Sequence, residues 1–218
     1  MKQAASTSYS SDEQRLLDAG MLLPVMEVFY SIQGEGYNTG KAASFLRIGG
    51  CDVGCQWCDI KESWNAALHP LSPTADILER LCSFPSKAVV ITGGEPLMAN
   101  LGPLCAGLKK KGMTIFLETS GAYPVSGQFD WICLSPKRNA RPRTDLALMA
   151  DELKVIVHEA ADLDWATENA TLVKDKCLLY LQPEWSRYQE VLPLVVDFVK
   201  NHPRWMISLQ SHKFMHIP

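Results

Sequence analysis

The sequence predicts a single α/β domain with a mostly parallel sheet and outer helices, and three observations point there. Short apolar runs of strand length alternate with helix-length segments over most of the 218 residues, the pattern of right-handed βαβ units. Six such runs follow one another, too few to close an eight-stranded barrel. Polar motifs fall where the runs end, and parallel α/β folds bind ligands at the carboxyl ends of their strands. With 47% of residues hydrophobic the chain can bury one substantial core, and its length demands no second domain. The boundaries read from the sequence are an N-terminal extension over 1–22 and one catalytic domain over 23–218.

In chain order, residues 1–10 read as a loose tail and 12–22 as a short helix ahead of Pro24. Residues 25–31 are rich in β-formers and run into Gln33-Gly34-Glu35-Gly36. Two glycines beside a carboxylate allow backbone to approach a ligand, but a hairpin turn accounts for them equally well. The strand over 44–48 delivers Gly49-Gly50 and a cysteine-rich loop, and it carries Arg47, a charge in an apolar run. A guanidinium there needs an anion, either a ligand carboxylate or a local acid. Behind Ser72-Pro73, helical spacing of Ile77, Leu78, Leu81 and Cys82 predicts a helix over 74–82. A buried-type strand over 88–92 ends in Gly93-Gly94-Glu95-Pro96, and a helix over 97–110 closes at Gly112. Strands over 114–118 and 131–135 end in Thr119-Ser120-Gly121 and Pro136-Lys137, and further strands cover 152–157 and 178–182. Helices are expected around 162–169 and 188–200, the second with Leu192, Val195, Val196 and Val199 on one face.

Twenty-one Lys and Arg against 24 Asp and Glu give a net charge of −3 without a basic block, which argues against nucleic acid and for a small substrate. Seven cysteines, an odd count with three crowded into one loop, suit a reducing compartment better than a disulfide framework. The first 20 residues lack an apolar signal core and no run approaches a membrane span, so a cytoplasmic protein is expected.

The crowded loop is Cys51-Asp52-Val53-Gly54-Cys55-Gln56-Trp57-Cys58. Three thiolates within eight residues can close around one compact centre, and a 4Fe-4S cube held by three cysteines keeps one iron open to a chelating small molecule. The competing reading is a structural zinc loop. Such sites want four Cys or His ligands in pairs, and the next histidine, His69, stands alone downstream. Cys82, Cys105, Cys133 and Cys177 sit among apolar neighbours and read as packing residues.

This spacing resembles the radical S-adenosylmethionine (SAM) superfamily. The resemblance implies a partial six-stranded (β/α)6 barrel and a 4Fe-4S cluster on Cys51, Cys55 and Cys58, with SAM as cofactor and no catalytic side chain beyond cluster-bound SAM. It implies SAM contacts from Trp57, Cys58 and Asp59, from Gly94, and from Ser135, Pro136 and Lys137. Gln182, Pro183, Glu184 and Trp185 complete that set, and Ser135 and Glu118 both stand as ribose partners. Within the superfamily the chain from Val25 to Pro218 is similar to the 7-carboxy-7-deazaguanine synthases, the QueE family. The marks are Ile32-Gln33-Gly34-Glu35-Gly36, Phe45-Leu46-Arg47, the cysteine triplet followed by Asp59, Thr92, Ser135-Pro136-Lys137, Gln182-Pro183 and a final proline.

That resemblance implies a lyase of queuosine biosynthesis, a tRNA-modification pathway, acting on 6-carboxy-5,6,7,8-tetrahydropterin by radical ring contraction with loss of ammonia. Ile32, Gln33, Gly34, Arg47, Thr92 and Pro218 would bind the pterin. A homodimer and a flavodoxin- or ferredoxin-like reductant are expected on the same ground. One position departs from the pattern. The family commonly places Thr or Ser after the Cys-Asp pair as a magnesium ligand, and here it is Ile60, which offers a hard cation no oxygen. Magnesium therefore enters as an expected cofactor with weak dependence. Two alternatives share features of the chain: a glycyl-radical-enzyme activase and a non-catalytic zinc-binding module.

Overall fold

The computed structural model describes residues 9–218, so most of the expected tail lies outside the described residues. Helix α1 (Ser11–Asp18) starts at a capping box in which the Ser10 hydroxyl accepts from Glu13 N and the Glu13 carboxylate accepts from Ser10 N. It stops well short of Leu22, because strand β1 (Leu22–Ile32) begins there and takes Pro24 into the sheet.

The sheet has nine strands in the order β3-β1-β2-β4-β5-β6-β7-β8-β9. The six expected runs form β2 (Ala42–Ile48), β4 (Ala88–Gly93), β5 (Thr114–Thr119), β6 (Trp131–Leu134), β7 (Glu152–Val157) and β8 (Leu178–Pro183), and each is parallel to its neighbour. β1 joins β2 as an antiparallel hairpin partner, so the turn reading of residues 33–36 holds. Two short strands, β3 (Leu71–Pro73) and β9 (Trp205–Ile207), extend the two ends.

Side chains alternate across each strand, and the two faces differ in kind. Leu46 and Ile48, Val89 and Ile91, Ile115 and Leu117, Leu153 and Val155, and Leu179 and Leu181 form the main core. Against them pack Ile77 and Leu81 of α2 (Thr74–Cys82), Leu104 and Leu108 of α3 (Gly102–Lys110), Trp165 of α5 (Ala161–Ala170), and Val191 and Val195 of α6 (Tyr188–Asn201), while α4 (Thr144–Ala147) adds Leu146. Their intervening neighbours share a second cluster, Ala43, Phe45, Val90 and Phe116, with Phe29 and Trp131 beside it. Further along the same strands that face turns polar: Arg47, Thr92, Glu118, Lys154 and Gln182. The fold thus has an apolar, helix-covered outside and an inner face whose carboxyl end is charged.

Three expectations shift. The helix expected from Leu97 is a short turn, Pro96–Met98, and α3 starts only at Gly102 with Pro103 in its first turn. On α6, Val191 and Val195 are buried whereas Val196 is exposed, because the run is apolar on several sides and only packing selects the face. Residues 211–218, which pattern alone favours as a loose tail, contain α7 (Ser211–Met215), held by aromatic contacts of Phe214 with Trp185 and Tyr188. Among the described residues no helix is long and apolar enough to cross a membrane.

Candidate active site

β2 ends at Ile48, and Gly49-Gly50 turn the chain into the cysteine loop. Gly50 N donates to Ser63 O (2.6 Å), Cys51 N to Trp64 O (3.0 Å) and Cys58 N to Cys55 O (3.2 Å), so the loop folds back on itself. The Cys58 thiol accepts from Trp64 Nε1 at 3.4 Å. Burial raises the pKa of the Cys51 and Cys55 thiols; the Lys137 ammonium opposes this at Cys55.

The glycine pair after β4 fastens this loop. Gly94 N donates to Ile48 O and Glu95 N to Gly50 O, both at 2.9 Å. A Cβ on Gly94 would stand 2.3 Å from Gly50 O and 2.7 Å from Cys51 Cβ. Only a residue without a side chain lets the backbone come this close to the cysteine loop. The next residue, Glu95, is buried and accepts from Thr119 Oγ1 (2.6 Å), Ser120 N (2.8 Å), the Ser120 hydroxyl and Leu97 N (3.1 Å). It ties the ends of β4 and β5 together.

Two cavities open above the inner face. One, of about 240 Å³, is lined by Cys51, Cys55 and Cys58 with Trp57, Gly94, Ser135, Lys137, Gln182, Pro183, Glu184 and Trp185. The other, of about 380 Å³, is lined by Ile32, Gln33, Gly34, Arg47, His212, Lys213 and Pro218. Glu35, Asp59, Ile60, Thr92, Glu118 and Gln210 border both. Of the site residues expected from sequence only Pro136 faces elsewhere, toward a hollow behind Cys55 that Arg138 and Trp165 also line.

The shared wall is built from charge. Lys154 on β7, with a side chain only 4% exposed, donates to Glu35 Oε2 at 2.6 Å and Glu118 Oε2 at 2.9 Å. Burial alone would raise the Glu35 carboxyl, but Lys154, helped by Gln210 Nε2 at 2.9 Å, brings it down to about 2. Burial alone would lower Lys154, yet the acidic groups around it, Cys133, Glu118, Glu35 and Glu152, hold it well above the ordinary lysine value. Glu118 Oε1 accepts from Gln33 Nε2 at 3.2 Å, so both of its oxygens are engaged. Arg47 Nε donates to Glu27 Oε1 on the adjoining strand at 2.6 Å, the local-acid partner, while its guanidinium still borders the larger cavity. Lys137 Nζ donates to Ser135 O and Oγ, each at 2.6 Å, and burial depresses its pKa. Glu184 lines the cysteine-lined cavity while its carboxylate caps the turn that follows, accepting from Ser186 N (3.0 Å), Ser186 Oγ (2.6 Å) and Arg187 N (3.2 Å).

Comparison with known proteins decides the family. No family model matches the chain. It is 51% identical over 205 residues to the 7-carboxy-7-deazaguanine synthase of Flavobacterium psychrophilum, covering 94% of this chain and 97% of that one. It is 45% identical over 192 residues to the Synechocystis enzyme of the same name, covering 88% and 92%. The chain belongs to the 7-carboxy-7-deazaguanine synthase family. The crystal structure of QueE from Escherichia coli superposes with a TM-score of 0.80 at 31% identity, covering 93% of this chain and all of that one. The glycyl-radical activase and zinc-module alternatives are not favoured by these likenesses. The chain is thus a radical SAM lyase of the QueE kind.

The residues present fit the family's cluster and SAM: three free cysteines line one cavity beside Trp57, Ser135 and Lys137. Magnesium does not fit as well. Ile60 faces both cavities with an alkyl side chain, and the adjacent Asp59 Oδ2 already accepts from Gln210 Nε2 (3.1 Å) and from Lys213 Nζ.

Sequence reasoning missed Glu95, Lys154, Gln210, Lys213 and any role for Glu35. Lys154 did leave a signal, a charge inside an apolar strand like Arg47, and Gln210 and Lys213 belong to a chain end that resembles the family's, but their contacts with Glu35 and Asp59 became visible only once that end folded over the site.

Proposed function

We propose that the chain converts 6-carboxy-5,6,7,8-tetrahydropterin to 7-carboxy-7-deazaguanine by radical ring contraction with loss of ammonia. The observation that carries this reading is the shared wall: the cysteine-lined cavity and the cavity holding the family's pterin positions have Glu35, Asp59, Ile60, Thr92, Glu118 and Gln210 in common. Cys51, Cys55 and Cys58 hold the cluster, and SAM lies among Trp57, Cys58, Asp59, Gly94, Lys137, Gln182, Pro183 and Trp185. Ser135 takes the ribose in preference to Glu118, whose two oxygens already have donors. When bound, the cluster and SAM supply the carbon radical that removes a hydrogen atom from the pterin.

The chain's own residues place the substrate. Arg47, oriented by Glu27 through Nε, presents its remaining N–H groups to the pterin carboxylate. Thr92 donates a hydrogen bond, the 32–34 segment flanks the ring, and Pro218 closes the far side. Lys154 holds the Glu35 and Glu118 carboxylates in place between the two ligands. Dependence on magnesium is weak because the side-chain ligand is missing at Ile60. On family grounds the enzyme is a cytoplasmic homodimer of the queuosine pathway fed by a flavodoxin- or ferredoxin-like donor. Its catalytic domain is 23–218, to which the 1–22 extension is tied by Asn100 Nδ2 donating to Asp18 O and Thr74 Oγ1 to Gly20 O.

The test is an anaerobic assay with reconstituted enzyme, SAM, reductant and 6-carboxytetrahydropterin. The deazaguanine mass is expected with all components present and is lost on removing any one. A reconstituted, iron-loaded protein that cleaves SAM but leaves the pterin unchanged would refute the substrate assignment.

A further inference from the structure

The larger cavity must accept an anionic ligand although Glu35, Asp59 and Glu118 line it. Arg47 supplies one positive charge there, half committed to Glu27. Lys213 supplies another. Its side chain is 20% exposed, its Nζ pairs with Asp59 and lies 4.9 Å from the centre of the Trp185 ring. The helix that carries it is fixed at both ends of a short span, Ser211 N and Oγ donating to Gly34 O at 2.9 and 3.0 Å and Phe214 meeting Trp185 edge-on. An ammonium so placed has little freedom left to lose when a ligand arrives. Beside it, at the position where the family presents a hydroxyl to magnesium, stands the alkyl group of Ile60. Of the adjacent Asp59 carboxylate, Oδ2 already has two donors, Gln210 and Lys213 itself.

We propose that the Lys213 ammonium, positioned by Asp59, is the cation that meets the substrate's oxygens in this enzyme and takes the place of a bound magnesium ion. An ammonium carries three donors, so one can remain on Asp59 while the others face the cavity. The proposal rests on the pterin reading above.

The experiment measures binding of 6-carboxytetrahydropterin to reconstituted, SAM-loaded enzyme by anaerobic equilibrium dialysis, with EDTA or with added magnesium chloride. For the wild type, affinity should agree within about twofold between the two conditions, and calorimetry should detect no magnesium uptake. K213M should weaken the pterin on the order of tenfold, as expected for a lost charged hydrogen bond, while SAM affinity is kept. K213R should retain most pterin affinity without metal. Chelator-sensitive pterin binding by the wild type, restored by magnesium, overturns the proposal even if K213M fails to fold. Unchanged pterin affinity in a SAM-competent K213M overturns it as well. A wild type that binds no pterin under either condition sinks the substrate reading instead, so the two failures are told apart.

Discussion

Lys154 shows how one buried cation organises its surroundings. Its ammonium lies between Glu35 and Glu118, and removing it would leave two carboxylates facing each other with little water. K154M should therefore destabilise the fold by about 3–5 kcal/mol, read by urea unfolding, and neutralising both acids in that background should recover part of the loss. Equal stability of K154M and wild type would mean that water screens the pair. The same contact makes a pH prediction. Glu35 has a folded pKa of about 2 against an ordinary 4.5. A depressed carboxylate contributes stability that is complete above its unfolded pKa and disappears as pH falls through the folded one. Between those two values the wild type should lose stability more steeply than E35Q, measured by tryptophan fluorescence in urea. Parallel curves would remove the pair from the acid response.

At the scale of elements, α7 and the segment after it close the larger cavity without bordering the cysteines. Phe214 packs on Trp185 and Tyr188, and the Ser31 hydroxyl donates to Pro218 O at 2.9 Å. A peptide added after Pro218 should push this segment off its seat. Turnover is expected to vanish and pterin affinity to fall while SAM affinity is kept, and full activity in a cleanly extended protein would refute the role given to Pro218. The motif best read from sequence is a local one, the cysteine triplet, whose ligands lie within eight residues, whereas the glycine pair acts through backbone on Ile48 and Gly50 of the neighbouring strand and loop, a contact that only the fold shows. That the Glu184 carboxylate is taken up by the turn beside it could not be read from the sequence, because the turn forms only where β8 ends.

At the scale of the whole molecule, the main apolar core and the cavity wall lie on opposite faces of the sheet. Leu117 is fully buried on the helix side of β5, and its neighbour Glu118 lies on the cavity wall. L117A should cost about 2–5 kcal/mol and lower the melting temperature by roughly 4–20 °C. KM for the pterin should stay within about twofold, since the lost methyl groups face away from the site. A large change in KM with unchanged stability would show that the two faces are coupled.

By itself the sequence determined the strand and helix alternation, the six parallel strands, the cysteine triplet and the family, because each is written in local periodicity or in residues close together in the chain. Only the tertiary structure decided that a short helix, α7, rather than a loose tail leads to Pro218, that Lys154 pairs with Glu35 and Glu118, and that Lys213 reaches Asp59. Those partners are 36 to 154 residues apart. A buried charge announces that it needs a partner, but which one it receives depends on strand order and on the packing that brings distant segments over the same opening.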